Sequence, residues 1–170
     1  MATEPHCAVR RLTLSDIDLL RSLRLRALAD APSAFGSTYE REVAFPDEEW
    51  ERRLDPDGNP GFVAETADGR AVGMACGVRD DTDAANAFLM AMWVDALARG
   101  TGAASLLIET VVTWATAKGF STLTLHVTRG NDRAERRYQR HGFVRTGATF
   151  VRDRDGCTEI EMQLTLDPDA

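Results

Sequence analysis

The sequence contains few cysteines and no long apolar segment, and both absences narrow the class of protein. Its three cysteines, Cys7, Cys76 and Cys157, lie far apart and form no Cys-x-x-Cys pair. A sparse, odd number of cysteines fits a reducing compartment better than a disulfide scaffold, so we predict a cytoplasmic protein. No run approaches the roughly 20 apolar residues of a membrane span, and the N-terminus lacks the apolar core of a signal peptide. We therefore expect no membrane partner.

Metal-ligand patterns and basic patches are also missing. The three histidines, His6, His126 and His141, show no ligand spacing, so the sequence predicts no metal site. The net charge is −7 and the arginines are scattered, which argues against a nucleic-acid partner. The acidic balance favours a cationic small substrate, although it also fits the surface of an ordinary soluble protein.

The length and composition are those of one globular domain. The chain has 170 residues, of which 44% are hydrophobic and 28% charged, without a low-complexity tract or an internal repeat. A chain of this size buries a sizeable core. We therefore predict a single domain over residues 1–170.

Residues 88–120 organise the rest of the chain, because they read as a strand, a glycine turn and a helix. The strand, 88–94, is apolar on both alternating faces, which predicts a central position in a covered sheet. We expect one face to carry Phe88, Met90, Met92 and Val94, and the other Leu89, Ala91 and Trp93. Apolar residues at helical spacing then predict an amphipathic helix over 103–118, with Gly119 just beyond its end.

The turn before this helix has the composition of an anion-binding loop. It reads Arg99-Gly100-Thr101-Gly102-Ala103-Ala104. A helix N-terminus presents unpaired N–H groups and a partial positive charge, and small residues leave room for a phosphate. A tight turn that merely needs glycine is the alternative. The turn lacks the Gly-Lys-Ser/Thr of a Walker loop and the third glycine and later acid of a Rossmann fingerprint.

Two motifs in this order resemble the GNAT superfamily of N-acetyltransferases. The loop 99–104 matches that family's pattern Gln/Arg-x-x-Gly-x-Gly/Ala. About thirty residues later, a second block matches at Asn131, Ala134, Tyr138, Gly142 and Phe143. The resemblance covers about residues 7–165 and is strongest between 88 and 143.

The resemblance agrees with the order of predicted elements. We expect an α/β protein of the α+β type, with a mixed, mostly antiparallel sheet, a central parallel pair and helices on both faces. Predicted strands are 7–14, 62–65, 71–78, 88–94, 123–127, a strand that begins at 143, and a closing hairpin of 149–151 and 157–166. Predicted helices run from Ser15-Asp16 to about 30, over 47–54, over 103–118 and over 131–141. Residues 31–38 are predicted to form a loop and 167–170 a frayed tail.

The resemblance also implies a cofactor and its contacts. Acetyl-CoA would be the cosubstrate, without a metal ion. Its pyrophosphate would bind Arg99, Gly100, Thr101, Gly102, Ala103 and Ala104; its pantetheine arm would pair with backbone groups of Met92 and Val94; Asn131 would hydrogen-bond to it. Tyr138 would lie near the sulfur as the general acid, since a phenol of pKa about 10 stays protonated at neutral pH. A tyrosine that packs against the sheet is the alternative.

The general base is not identified by any motif. Many GNAT proteins have a glutamate on the central strand, and residues 88–94 contain none. A chain of waters or a loop acid such as Glu42 or Asp80 could serve, while we interpret His126 as a strand residue rather than a base.

Two classes of function, catalysis and cofactor binding without catalysis, fit these features. The first is transfer of acetyl from acetyl-CoA to a primary amine of a small molecule by direct attack. The alternatives are a non-catalytic acyl-CoA-binding module, or acetylation of a protein N-terminus or lysine. The resemblance further implies a homodimer, since many GNAT proteins pair two subunits.

Overall fold

The computed structural model describes residues 7–55 and 57–167. In these ranges the helices are α1 (Ile17–Asp30), α2 (Tyr39–Val43), α3 (Asp47–Arg53), α4 (Ala103–Ala117) and α5 (Asp132–Arg140). The strands are β1 (Ala8–Arg11), β2 (Gly61–Glu65), β3 (Ala71–Arg79), β4 (Asn86–Val94), β5 (Thr122–Thr128), β6 (Val144–Val151) and β7 (Thr158–Thr165). The predicted tail lies outside the described residues apart from Asp167, as does His6.

The strands form one mixed sheet in the order β1-β2-β3-β4-β5-β7-β6. Neighbouring strands from β1 to β4 are antiparallel, β4 and β5 are parallel, and β5, β7 and β6 are again antiparallel. The predicted mixed sheet with a central parallel pair is therefore confirmed. The closing hairpin places its second strand, β7, next to β5, which leaves β6 at the edge.

Helices cover both faces of the sheet, as predicted. On one face α4 buries Leu107, Val111 and Trp114 in an apolar cluster that also contains residues of β2 to β5 and β7. On the other face α1 and α3 bury Leu23 and Trp50 in a second cluster with residues of β2 to β4. Within the described ranges, no helix is long and apolar enough to cross a membrane.

Two segments differ from the sequence prediction because their local signals are weak. Helix α2 was not predicted; it begins after Thr38, whose side chain accepts a hydrogen bond from the backbone N–H of Arg41, and it has only five residues. The preceding loop contains a short 3₁₀ turn, Pro32–Ala34. Strand β6 runs from 144 to 151, so the strand predicted to begin at 143 and the hairpin arm predicted over 149–151 are one continuous strand, and every residue in it is exposed. Because no face of β6 is buried, its sequence carries no apolar alternation.

The central strand contains a bulge that changes which side chains share a face. Ala91 has φ +54°, and here two residues of β4, Ala91 and Met92, oppose one residue of β3. An extra residue in one strand reverses the alternation beyond it. Met92 and Val94 therefore join Leu89 in the cluster under α4, while Trp93 packs under α1.

The predicted assignment of four side chains to one face is consequently wrong. Phe88 and Met90 lie on the face opposite Met92 and Val94, because the reversal at Ala91 falls between the two pairs. The expectation that this strand is covered on both faces also fails at Met90, which is 51% exposed.

Candidate active site

The parallel strands β4 and β5 are paired over only a short distance. Within the described part of the chain, their ladder consists of Asn86–Thr122, Ala87–Leu123 and Phe88–Thr124. Beyond these pairs, β4 continues beside β3 and β5 continues beside β7. We call the opening between residues 89–94 of β4 and 125–128 of β5 the inter-strand cleft. Its facing edges carry backbone groups that an extended ligand can bind as an added strand would.

A buried asparagine holds the closed end of this cleft. Asn86 Oδ1 accepts hydrogen bonds from the hydroxyls of Thr122, at 2.9 Å, and Thr124, at 2.8 Å. Its amide nitrogen donates to Asp80 at 3.0 Å. Because these bonds join the two strands where they pair, the cleft has a fixed apex and opens toward the C-terminal end of β4.

The loop 99–104 lies at the open end of the cleft. Gly100 and Gly102 have φ +90° and +85°, a conformation that side chains rarely adopt. No heavy atom lies within 4 Å of the position that a Cβ would take at either glycine. The glycines are thus required by the backbone conformation, and the space in front of them is open.

Backbone donors of the helix start are directed at this space. The first α4 hydrogen bond runs from the N–H of Leu106 to the carbonyl of Gly102, at 3.0 Å. The N–H groups of Ala103, Ala104 and Ser105 precede that bond and have no partner within the helix. Thr101 differs, because its N–H and its hydroxyl both donate to the carbonyl of Ala98. Thr101 therefore shapes the turn.

A cavity of about 380 Å³ lies between this loop and helix α5. It is lined by Val94, Ala98, Arg99, Gly100, Gly102, Ala104, Ser105, Arg137, Arg140 and His141. The last three residues were not predicted, because arginines on a surface helix give the same sequence pattern as any solvated face. The loop sequence therefore predicts one wall of the cavity, and α5 supplies a second wall that is basic.

The basic wall carries charge that the described residues do not neutralise. No described carboxylate forms an ion pair with Arg137 or Arg140. Burial and the neighbouring positive charges of Arg133, Arg140 and Arg99 lower the pKa of Arg137. An anion in the cavity would remove this unfavourable charge, so the cavity is suited to a phosphate or pyrophosphate.

Arg99 and His141 lie at the rim of the cavity but have partners of their own. Arg99 donates to Asp30 at 2.8 Å and to the carbonyl of Val94 at 3.3 Å. His141 Nε2 lies 3.2 Å from the Ser105 hydroxyl, which fixes α5 against the start of α4. Asp30 offsets much of the Arg99 charge, so Arg137 and Arg140 contribute more of the positive potential.

Asn131 and Tyr138 occupy the two ends of helix α5. The side-chain oxygen of Asn131 accepts a hydrogen bond from the N–H of Ala134 at 3.3 Å, which confirms it as the N-cap. Its amide nitrogen keeps its donors. Tyr138 is 9% exposed, and its ring packs edge-on against Phe143 with 5.9 Å between centroids. Burial raises the pKa of Tyr138 to about 12, so its hydroxyl holds its proton at neutral pH.

The family model described as "Acetyltransferase (GNAT) family" matches residues 24–143. The chain belongs to this family of acetyltransferases. The match includes the loop 99–104 and the block from Asn131 to Phe143. A search among curated protein sequences gave no match.

Solved structures show the same fold as this GNAT domain. Spermidine N-acetyltransferase from Vibrio cholerae, in complex with CoA and spermine, has 19% identity and a TM-score of 0.74, over 94% of this chain and 95% of that one. The protein yncA from Salmonella typhimurium, with its cofactor acetyl-CoA, has 19% identity and a TM-score of 0.78, over 97% and 96%. Ribosomal-protein-alanine N-acetyltransferase from Brucella melitensis has 23% identity and a TM-score of 0.77, over 94% and 99%.

Two acids considered as the base of this GNAT domain have structural roles. Burial alone would raise the pKa of Glu42, but hydrogen bonds from Arg24 and the charges of Arg24 and Arg53 outweigh it and lower the pKa. Glu42 is fully buried. Hydrogen bonds from Asn86 and Thr82 lower the pKa of Asp80 to about 2. Neither carboxylate is suited to accept a proton at neutral pH.

Cys76 lies on β3, beside the central strand β4. Burial raises the pKa of Cys76 to about 11, so this thiol stays protonated and is a poor nucleophile. Within residues 7–55 and 57–167, no group of three or more His, Cys, Asp or Glu side chains is arranged to hold a metal ion.

Proposed function

We propose that this GNAT domain, over about residues 7–165, transfers the acetyl group of acetyl-CoA to a primary amine of a small molecule. One observation carries the proposal: a cleft between two parting strands opens into a cavity with helix N–H donors and unneutralised arginines. A long ligand with a phosphate group in its middle and a thioester at one end fits that arrangement.

The cofactor contacts follow from the chemistry of the site. The N–H groups at the start of α4, together with Arg137 and Arg140, would bind the pyrophosphate of acetyl-CoA. Backbone groups of Met92 and Val94 would pair with the pantetheine arm in the cleft. The amide nitrogen of Asn131 would donate to the cofactor. The structures from Vibrio cholerae and Salmonella typhimurium hold CoA and acetyl-CoA, which supports this choice of cofactor.

Tyr138 would act as the general acid in a direct attack. The amine nitrogen bonds to the thioester carbon, the C–S bond breaks, and the departing thiolate takes a proton from the phenol. A pKa of about 12 keeps Tyr138 protonated until the thiolate forms. Loss of the amine's protons is the other half of the reaction.

Two observations support a small amine as the acceptor: the net charge of this chain and the ligand of a structurally similar protein. The net charge of −7 attracts cations, and the Vibrio cholerae structure contains spermine. A protein N-terminus or a lysine is the alternative acceptor, since the Brucella melitensis structure is a ribosomal-protein-alanine N-acetyltransferase. A non-catalytic acyl-CoA-binding module is the other alternative.

The test is an assay of thiol release from acetyl-CoA with polyamines, amino acids, aminoglycosides and peptides with free N-termini. We expect release with a small amine and a product that carries one added acetyl group by mass spectrometry. Transfer to the peptides alone would support protein acetylation. Cofactor binding without release in any reaction would support the non-catalytic module.

We also propose a cytoplasmic homodimer without a nucleic-acid or membrane partner. The sparse cysteines support the cytoplasm, and the net charge of −7 argues against nucleic acid. The homodimer rests on the resemblance, since many GNAT proteins pair two subunits. Light scattering on the purified chain would give the mass of the particle and decide between monomer and dimer.

A further inference from the structure

A histidine and a glutamate lie side by side at the apex of the inter-strand cleft. His126 on β5 and Glu161 on β7 are directly paired residues, and His126 Nε2 lies 3.5 Å from Glu161 Oε2. His126 follows Thr124, the last β5 residue paired with β4, by two positions. Its ring also contacts Phe88, the last paired residue of β4, with 6.0 Å between centroids. The pair therefore lies where the two strands begin to part.

The same pair lies on the accessible face of the sheet. Leu125 and Val127 point into the cluster under α4, so His126 points to the opposite face. Its side chain is 34% exposed, and Phe150, whose ring centroid lies 5.0 Å from that of His126, is 46% exposed. Tyr138 belongs to the cluster under α4. An amine that approaches the apex from the open face thus meets His126, with the proposed acid on the other side of the sheet.

The position of His126 along the cleft also suits a role at the reactive end of the cofactor. Val94 lines the cavity, and Phe88 at the apex lies six positions earlier in the strand, which is about 20 Å at the usual rise per residue. An extended thioester arm anchored in the cavity and lying along the cleft has its reactive end toward the apex. His126 is therefore at the end of the cleft where the acetyl group arrives.

We propose that His126, oriented by Glu161, is the general base that deprotonates the acceptor amine; the inference rests on the proposed function. Glu161 faces Nε2 and favours the tautomer with a proton there, which leaves the lone pair on Nδ1. Glu161 is itself held by the Thr146 hydroxyl at 2.7 Å. Nδ1 takes one proton from the ammonium group, and the neutral amine then forms the C–N bond as the C–S bond breaks. The second proton that the nitrogen loses restores Tyr138 through solvent.

Other charged groups near this histidine are already paired. On the same face of β7, Glu159 lies 3.4 Å from Arg152, which also binds Asp155. Phe88 on β4 and Phe150 on β6 face the ring without charge. At the C-terminal end of β5, the hydroxyl of Thr128 donates a hydrogen bond to the uncharged carbonyl of Ser33. Glu161 is thus the carboxylate that acts directly on His126.

The test compares His126→Gln with the wild type across pH, with acetyl-CoA and the best amine of the panel above. A missing base costs about 10²- to 10⁴-fold at pH 7. The deficit should shrink as pH rises toward the amine's own pKa of about 10.4, because the amine then loses its proton unaided. Acetyl-CoA affinity by calorimetry should not change.

The control is a carboxylate of similar exposure elsewhere in the sheet. Glu161→Gln should lower kcat with a deficit that likewise shrinks as pH rises, whereas Glu65→Gln, on β2 and paired with Arg10, should leave kcat unchanged at every pH. A His126→Gln enzyme with wild-type turnover, or with the same deficit at every pH, would overturn the inference and leave the proposed function standing. Absence of wild-type turnover with every amine would overturn both.

Discussion

Phe88 on β4 and Thr124 on β5 form the last pair of the parallel ladder, and the two strands separate immediately beyond them. Thr124 is held to Asn86 through its hydroxyl at 2.8 Å, so the separation begins at a fixed point. In the proposed reaction the cofactor arm lies along the cleft that opens from this point, and the proposed base, His126, lies beside it. Changes at the open end should affect cofactor binding, and changes at the apex should affect the chemical step.

Arg137→Gln should weaken acetyl-CoA binding. The guanidinium lines the cavity without an ion-pair partner among the described residues, and a hydrogen bond to a charged group contributes about 1.5–3 kcal/mol. We therefore expect the KM for acetyl-CoA to rise about tenfold to hundredfold. Arg136→Gln, one residue earlier and exposed, should leave KM unchanged. Equal KM values in both variants would remove Arg137 from the site.

Tyr138→Phe should lower kcat and leave the affinity for acetyl-CoA nearly the same. The substitution keeps the ring that packs against Phe143 and removes only the hydroxyl. Loss of a general acid costs about 10²- to 10⁴-fold. Steady-state kinetics together with calorimetry would separate the two effects. Wild-type turnover in this variant would show that the phenol only packs against the sheet.

Cys76→Ala should keep acetyl transfer within a few-fold of wild type. Burial raises the pKa of this thiol to about 11, which opposes a covalent acetyl-enzyme. Intact-mass measurement after incubation with acetyl-CoA alone should show no acetyl group on the protein, and the kinetics should be sequential. Stoichiometric acetylation at Cys76 that the amine discharges would contradict direct attack.

Glu42→Gln should destabilise the fold and change its response to acid. Glu42 is fully buried between Arg24 and Arg53, and removing one partner of a buried pair costs about 3–5 kcal/mol. Its pKa is lower in the folded protein than the ordinary 4.5, so its contribution is present above pH 4.5 and is lost as pH falls below it.

Urea denaturation as a function of pH measures the contribution of the Glu42 charge to the free energy of unfolding. The difference in free energy of unfolding between wild type and Glu42→Gln should be largest at neutral pH and shrink in acid. Glu49→Gln, which removes a more exposed partner of Arg53, should change stability little. A difference that does not vary with pH would mean that Glu42 acts through packing and not through its charge.

The sequence predicts the elements well where their apolar period is clear, and the site only in part. The helix after the glycine loop is confirmed because Leu107, Val111 and Trp114 repeat at helical spacing and are buried. The bulge at Ala91 leaves no sequence signal, since alanine is an unusual residue at positive φ. The face assignment of Met92 and Val94 failed for this reason.

Site residues contributed by separate elements were the hardest to predict. Arg137 and Arg140 line the cavity only because α5 packs beside the start of α4. No local pattern in the sequence distinguishes them from the other arginines of α5. His126 likewise pairs with Glu161 only because β7 inserts next to β5. Contacts of this kind depend on strand order, which the alternation within each strand does not encode.

The glycine loop at the start of α4 should bind the pyrophosphate of acetyl-CoA, and titration calorimetry of two matched variants tests this binding most directly. Gly102 and Gly119 lie at opposite ends of the same helix, with φ +85° and +81° and open space around each. A glutamate at either position strains the backbone equally, but only Gly102→Glu places a side chain and a negative charge in the cavity. Folded Gly102→Glu should lose acetyl-CoA binding, while Gly119→Glu should keep wild-type affinity. Unchanged affinity in folded Gly102→Glu would show that the pyrophosphate does not bind at this loop.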